Sequence, residues 1–402
     1  MKKVLFIGGV FAQENEAEIL ENSKTPVEYS ANIFQKKLIH GFLSLPKEEN
    51  AFQVISAPFI GSYPNAYKKM FFKGFQEEQT DYQYVHFNNI WGIRNLSRTR
   101  ALKKAVRAFA KEKQAGVEKL IVVYSPHTPF LAAAVWAKKK DPSIRICLIV
   151  PDLPQYMNLS EKKSLLYRVG KKFDIRKFNT LNKQVDTYVL LTEAMKEKID
   201  TCGKPCRIVE GIVTEAEIEN SRSLKAQAVK DDGVKYVVYT GKVYRRFGAI
   251  ELVDAFMKTT GKTYRLVICG DGDGADYVRE AAKKDERILF QGQVSSEKAK
   301  EWMYKADVLV NPRGNNEEYT KYSFPSKNIE YLLSGAPVVA YKLDGMKAEY
   351  EDMLYVPREE NAEALAAAME QALSSGKPKD GFETYCKQFL LSKTICENVV
   401  NL

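Results

Sequence analysis

Short apolar runs alternate with helix-length amphipathic stretches along all 402 residues, and this rhythm limits the possible folds more than any single motif does. In the first half the strand-like runs fall at residues 4–7, 52–57, 84–87, 120–124, 145–150 and 187–191. Helical patterning at 30–43, 100–113, 130–139 and 162–182 separates them. After residue 205 the rhythm restarts, with strands at 207–209, 236–240, 264–269, 288–290, 308–310 and 338–340. Helices are expected between these at 249–258, 296–305 and 362–373. Strand–helix alternation implies parallel sheets covered by helices on both faces. Two such series predict an α/β protein with two Rossmann-like, doubly wound domains facing each other across a cleft. The expected domains are 1–205 and 206–381, with a helical segment 382–402 crossing back to the first. The polar stretch 215–233 reads as an exposed helix or linker. In such sheets ligands bind beyond the carboxyl ends of the strands.

Composition supports two packed cores, since 45% of residues are hydrophobic and 11% aromatic. The longest apolar runs, at 120–124 and 146–150, fall far short of the roughly 20 residues that span a bilayer. Residues 4–12 read as a first strand ending in a Gly8-Gly9 turn rather than as a short signal peptide, because strand-then-turn segments recur down the chain. The six cysteines are scattered, several inside apolar strands, which points to reduced thiols in a cytoplasmic protein. With only three histidines to assist Cys202 and Cys206, no metal site is expected.

Charge is uneven. Residues 1–200 carry 32 Lys and Arg against 20 Asp and Glu, whereas the remainder carries 29 against 31. Solvated helix faces account for such an excess as readily as an anionic partner does. The partner in question would be a membrane surface, a lipid-linked diphosphate or nucleic acid. In 63–75, Tyr63, Tyr67 and Phe71 mingle with Lys68, Lys69 and Lys73, which suits either helix packing or peripheral contact with an anionic membrane.

The densest chemical signal is YTKYSFPSKNIEYLLSGAPVVA at 319–340. Pro325 suits the first turn of a helix, where its missing N–H costs nothing. The free N–H groups of Ser326 and Lys327, the helix dipole and the Lys327 ammonium then make an end able to hold a diphosphate. Glu330 projects from the same face as Ser326, and a carboxylate there can accept both hydroxyl protons of a ribose. Gly335 and Pro337 end the helix before the strand at 338–340. An ordinary helix-then-strand unit would read much the same.

This segment resembles the signature of retaining GT-B glycosyltransferases of the group 1, or family 4, type. In that signature two glutamates precede a Gly-x-Pro-Val turn. Glu330 falls on the second glutamate, with Gly335-Ala336-Pro337-Val338 at the matching spacing. Tyr322 occupies the position of the first, and the chain follows those members that read Lys-Tyr-Ser-Phe-Pro-Ser-Lys here. By this resemblance Tyr322, Ser323, Phe324, Pro325, Ser326, Lys327 and Glu330 bind the donor. Glu317 and Glu318 remain alternatives for the missing acid.

Tyr239-Thr240-Gly241-Lys242-Val243 and Arg245-Arg246-Phe247-Gly248 resemble the family's phosphate-gripping loop. There Gly241 lets backbone approach the ligand and Lys242 meets the diphosphate. Arg246, with Arg245 an equal candidate, replaces the family's second basic residue, since Phe247 stands at its position. The run 270–274 resembles a structural Gly-Asp-Gly turn, Val294 lies where backbone frames the nucleobase, and 311–313 leads into the donor loop. The likeness covers 237–356 well and the first domain loosely.

In the first domain Gly9 offers backbone to a donor phosphate or acceptor. Asp152, in the turn 150–154, is a candidate to orient or deprotonate the acceptor hydroxyl, though an Asp there also serves as a turn cap. His127 lies after a strand, placed either to contact the sugar or to serve structure. Taken together, the resemblance implies sugar transfer from a nucleotide-sugar co-substrate to a glycan or lipid-linked acceptor, with configuration retained. It implies neither cofactor nor metal, and Lys242, Arg246 and Lys327 would carry the leaving-group charge. Two rival classes are a nucleotide-sugar epimerase and a non-catalytic nucleic-acid-binding protein. The sparse histidines argue against the first, and the acidic second half against the second.

Overall fold

The computed structural model describes residues 1–78, 80–153, 165–229 and 233–402, with backbone alone at 165–169. Pro154, the start of the helix expected at 162–182, and 230–232 of the expected linker lie outside the described residues. Contacts divide the chain into two units, Met1–Thr214 with Phe389–Leu402, and Glu215–Gln388.

In the first unit the strands are β1 (Lys2–Gly8), β2 (Asn50–Ser56), β3 (Phe71–Phe72), β4 (Phe75–Gln76), β5 (Tyr82–Tyr84), β6 (Phe87–Asn88), β7 (Glu118–Tyr124), β8 (Arg145–Val150), β9 (Thr187–Leu190) and β10 (Cys206–Ile208). Eight of them form one sheet in the order β10-β9-β8-β7-β1-β2-β5-β4. All its pairings are parallel except β4 with β5. The middle strands are apolar on both faces, as a sheet covered twice by helices requires. A separate antiparallel pair, β3 with β6, lies beyond the end of β5.

Three sequence expectations are corrected here. The strand expected to open the second series belongs to the first sheet, because Cys206 and Ile208 pair in parallel with Tyr188 and Leu190. The strand expected at 84–87 splits into β5 and β6, and the helix expected at 100–113 breaks at Val106 into Arg94–Ala105 and Arg107–Lys111. The Ser392–Asn401 helix packs on the Tyr29–Leu43 helix of the first unit. Their approach is close enough that a Cβ on Gly41 would stand 2.3 Å from the Ser392 carbonyl oxygen. The Cys396 thiol donates to the Leu38 carbonyl at 3.3 Å.

The second unit opens with the Glu215–Gln227 helix, whose buried Ser221 hydroxyl donates to the Leu333 carbonyl at 2.6 Å. Its strands β11 (Lys235–Thr240), β12 (Tyr264–Cys269), β13 (Ile288–Gly292), β14 (Val308–Asn311) and β15 (Val338–Ala340) form a wholly parallel sheet in the order β13-β12-β11-β14-β15. Intervening helices start at side-chain caps where the sequence provides them. Ser295 accepts from the Lys298 N–H at 3.2 Å, and Asn361 accepts from the Ala364 N–H at 2.8 Å. Gly376, at φ 62°, ends the Ala362–Ser375 helix in the left-handed conformation that glycine adopts without strain. All six cysteines are free.

Candidate functional site

In the second unit the strand order reverses between β11 and β14, and a doubly wound sheet opens a crevice at the carboxyl ends of such a pair. Three loops meet there. Gly241 donates to the Cys269 carbonyl at 2.9 Å, Val243 to that of Asp271 at 3.0 Å, and Gly274 to that of Val243 at 2.9 Å. Glycine is required at this crossing, since a Cβ on Gly270 would fall 1.7 Å from the Gly241 oxygen. On the other side, Gly248 (φ 80°) would place a Cβ 2.1 Å from the Pro312 oxygen. The loops after β11, β12 and β14 are therefore fitted backbone to backbone. Lys242, Arg245 and Arg246 remain exposed on that floor.

The Ser326–Leu333 helix is fastened to the same place. Tyr331, fully buried, accepts from the Thr240 N–H at 2.9 Å and donates to the Thr240 carbonyl at 3.1 Å. The Asn311 amide donates to Asn328 Oδ1 at 2.6 Å, joining the end of β14 to the helix. These bonds set Lys327 and Glu330 beside the end of β11. Lys327 Nζ lies 2.7 Å from Glu330 Oε2 and 3.4 Å from Thr240 Oγ1, and both charged side chains are partly exposed. A half-exposed pair of this kind contributes at most about 1 kcal/mol, so a stronger ligand can displace either partner.

Pro325 occupies the cap position (φ −77°, ψ 88°) rather than the first helical turn expected from sequence, and the helix begins at Ser326. Tyr322 and Phe324 point inward. Tyr322 is 3% exposed, and Phe324 packs on the Tyr350 ring at 5.1 Å. They shape the loop before the helix rather than present polar groups to solvent. Ser323 is held by Arg313, whose Nη2 donates to its hydroxyl at 2.8 Å. Glu317 and Glu318 are exposed where the short 3₁₀ turn Glu318–Tyr322 begins. Val294 lies half-buried between β13 and the Ser295 cap.

Sequence reasoning overlooked Arg313 as a site residue. Its guanidinium stands 5.5 Å from the Phe247 ring and 5.3 Å from that of Tyr319. Arg246 covers the Tyr244 and Phe247 rings at 5.4 and 5.1 Å. Two cations thus share Phe247, and burial pushes the Arg313 pKa down. The available signal was its place directly after β14 in Asn311-Pro312-Arg313.

In the first unit the reversal lies between β1 and β7. The Gly9 N–H already donates to Gln35 Oε1 at 2.8 Å, and a Cβ on Gly9 would meet the Phe59 ring at 2.6 Å. Gly9 therefore serves packing, with its donor engaged inside the protein. His127 caps the Thr128–Lys140 helix between the rings of Phe59 (5.8 Å) and Phe130 (4.5 Å). Burial, reinforced by the nearby charges of Arg98 and Arg94, holds its pKa well below the usual value, so the ring is neutral. His127 Nδ1 and the hydroxyls of Ser125 and Thr128 have no hydrogen-bond partner among the described residues. The Asp152 residue keeps surface in contact with solvent, yet protein crowds its carboxyl. That desolvation, with the charge of Glu28, raises its pKa to about 6.

Residues 234–375 match the family model described as "Glycosyl transferases group 1". Among solved structures, lipopolysaccharide outer core galactosyltransferase WaaB is similar over 99% of both chains, with a TM-score of 0.61 at 14% identity. Anabaena Alr3699/HepE, solved in complex with UDP, covers 99% of this chain and 98% of its own, with a TM-score of 0.55 at 14% identity. Sucrose-phosphate synthase from Thermosynechococcus elongatus covers 100% and 95%, with a TM-score of 0.54 at 16% identity. No curated protein matches the chain by sequence. Among the described residues no helix is long and apolar enough to cross a membrane.

Proposed function

We propose that this chain, whose residues 234–375 match the group 1 glycosyltransferase model and whose fold is similar to that of solved glycosyltransferases, transfers a sugar from a nucleoside diphosphate to an acceptor hydroxyl, with anomeric configuration retained. The observation that carries this reading is the Lys327–Glu330 pair, held at the carboxyl end of β11 above glycine-built loops. The donor diphosphate sits before the Ser326–Leu333 helix, where the N–H groups of Ser326 and Lys327 and the helix dipole favour negative charge. Lys327 exchanges Glu330 for the phosphate, and the freed carboxylate accepts the two ribose hydroxyls. Lys242 and Arg246, both exposed on the neighbouring loop, add positive charge for the departing diphosphate.

On the first unit, Asp152 orients the acceptor hydroxyl and takes its proton, while the neutral His127 contacts the sugar. UDP is the favoured nucleotide, supported by a structural relative solved with UDP-glucose. No metal or cofactor is needed in this scheme, because ammonium, guanidinium and backbone donors supply the positive field. A glycan or lipid-linked acceptor in cell-surface polysaccharide or glycolipid synthesis suits the basic first half. So does a position at the inner, anionic face of the plasma membrane. Exposed Met70, Phe71, Trp91, Ile93 and Leu96 would supply the apolar part of that contact.

The test is a thermal-shift panel of UDP-, GDP-, ADP- and dTDP-sugars, followed by proton NMR of the product formed from the best donor. A stabilising UDP-sugar and a product with the donor's anomeric configuration are expected. An inverted product would remove the retaining assignment, and the absence of a shift with every donor would remove the donor site.

A further inference from the structure

Arg313 carries a charge that its surroundings do not balance. It stands directly after β14, half-buried, with its guanidinium against the rings of Phe247 and Tyr319. The side chains that bond it, Ser323 at 2.8 Å and Tyr319, are both neutral. Among the described residues no carboxylate pairs with it. Glu360, the acid that bonds the next stretch of chain, is spent on Asn315, on its N–H at 3.0 Å and its side-chain amide at 2.7 Å. The neighbouring charge that reaches Arg313, that of Arg246 on the same Phe247 ring, has the same sign. A guanidinium drawn part-way out of water beside a second one destabilises the site until an anion reaches it.

Its place along the donor loop identifies the anion. In the proposed donor site the ribose lies at Glu330 and the diphosphate before Ser326, so the nucleotide runs toward the start of the helix. Ser323, which Arg313 holds, lies just before that start. The next group along the donor is the sugar. The diphosphate is answered by Lys242, Arg246 and Lys327, which leaves Arg313 over. The stretch 319–325 contains no carboxylate to accept hydroxyl protons from a neutral sugar. What stands there instead is the planar fork of a guanidinium, which matches a carboxylate bidentately.

We infer that the sugar of the donor carries a carboxylate, as a hexuronic acid does, and that Arg313 receives it. This assignment rests on the transferase reading, because it names the sugar of the nucleotide donor. Arg313 thereby determines specificity, and the neighbouring cations hold what every such donor has in common.

The test is calorimetric titration of the full chain with UDP, UDP-glucose, UDP-galactose, UDP-glucuronate and UDP-galacturonate. On the wild type at least one uronate is expected to bind about tenfold more tightly than its neutral counterpart, or more. That comparison needs no variant. Arg313→Gln removes the charge and should bring the uronate down to the level of the neutral sugar, while UDP itself binds as before. Arg313→Lys keeps the charge without the fork and should retain part of the preference. Equal affinity for each uronate and its neutral counterpart on the wild type overturns the inference and leaves the donor reading standing. An equal loss of UDP and uronate in both variants also overturns it, because Arg313 would then belong to the diphosphate. Failure of UDP and of every sugar to bind the wild type removes the donor reading, and the uronate with it.

Discussion

The two units place a crevice at the same topological position, yet they treat the polar groups around it in opposite ways. In the second unit nearly every such group is spoken for. Tyr331 exchanges two bonds with Thr240, Asn311 meets Asn328, Arg313 holds Ser323, and Lys327 rests on Glu330. In the first unit, Ser125, His127 and Thr128 gather at the end of β7 with buried polar atoms that bond nothing among the described residues. A satisfied network is rigid and pre-formed, whereas unsatisfied groups cost stability until something bonds them. On the transferase reading, the second unit would receive its ligand in a pre-formed site, and the first would have polar groups left for a ligand to bond.

The comparison breaks most visibly at Glu330. In the proposed donor site, Glu330→Ala would remove two charge-assisted bonds to a ribose, each worth about 1.5–3 kcal/mol. kcat/KM should then fall by roughly two to four orders of magnitude with the melting temperature unchanged, and a near wild-type value would place the nucleotide elsewhere. Lys242→Ala should act in the same direction with a smaller loss.

Asp152 tests the first unit. Its pKa is raised to about 6, so its carboxyl is protonated below that pH and ionised above it. A base must be ionised, and kcat/KM should therefore fall about tenfold per pH unit below 6. Asp152→Asn should lower the rate throughout and abolish that acidic limb. An unchanged limb in the variant would assign it to another group.

Smaller effects sharpen the contrast itself. Tyr331→Phe leaves the Thr240 N–H and carbonyl unpaired in a dry place and should lower unfolding free energy by about 1–3 kcal/mol in denaturant titration. Thr128→Val replaces a buried hydroxyl that bonds nothing among the described residues with a methyl of the same shape, and should change stability by about zero or raise it slightly. If Thr128→Val costs as much as Tyr331→Phe, the two crevices do not differ in the way described.

Much of this was legible in the sequence for identifiable reasons. The central strands are long β-branched runs bounded by glycine turns, so β7, β8, β11 and β12 fall within two residues of expectation. The 325–330 segment was readable because proline, lysine and glutamate have position-specific roles at a helix start. What escaped detection depends on tertiary context. Whether the Cys206–Ile208 strand joins one sheet or the other depends on a partner strand that periodicity does not name. Tyr322 and Phe324 sit in a motif that binds ligand by resemblance, yet their rings fill the loop's interior.

One more consequence follows from the Ser392–Asn401 helix. The first unit receives its last piece only after the whole of Glu215–Gln388 has been made. On the ribosome, residues 1–214 emerge with the Tyr29–Leu43 face uncovered, awaiting Ile395, Cys396 and Val399. The half of the protein synthesised first is therefore the half that matures last. Until then, its apolar face stays open to whatever other apolar surface it meets.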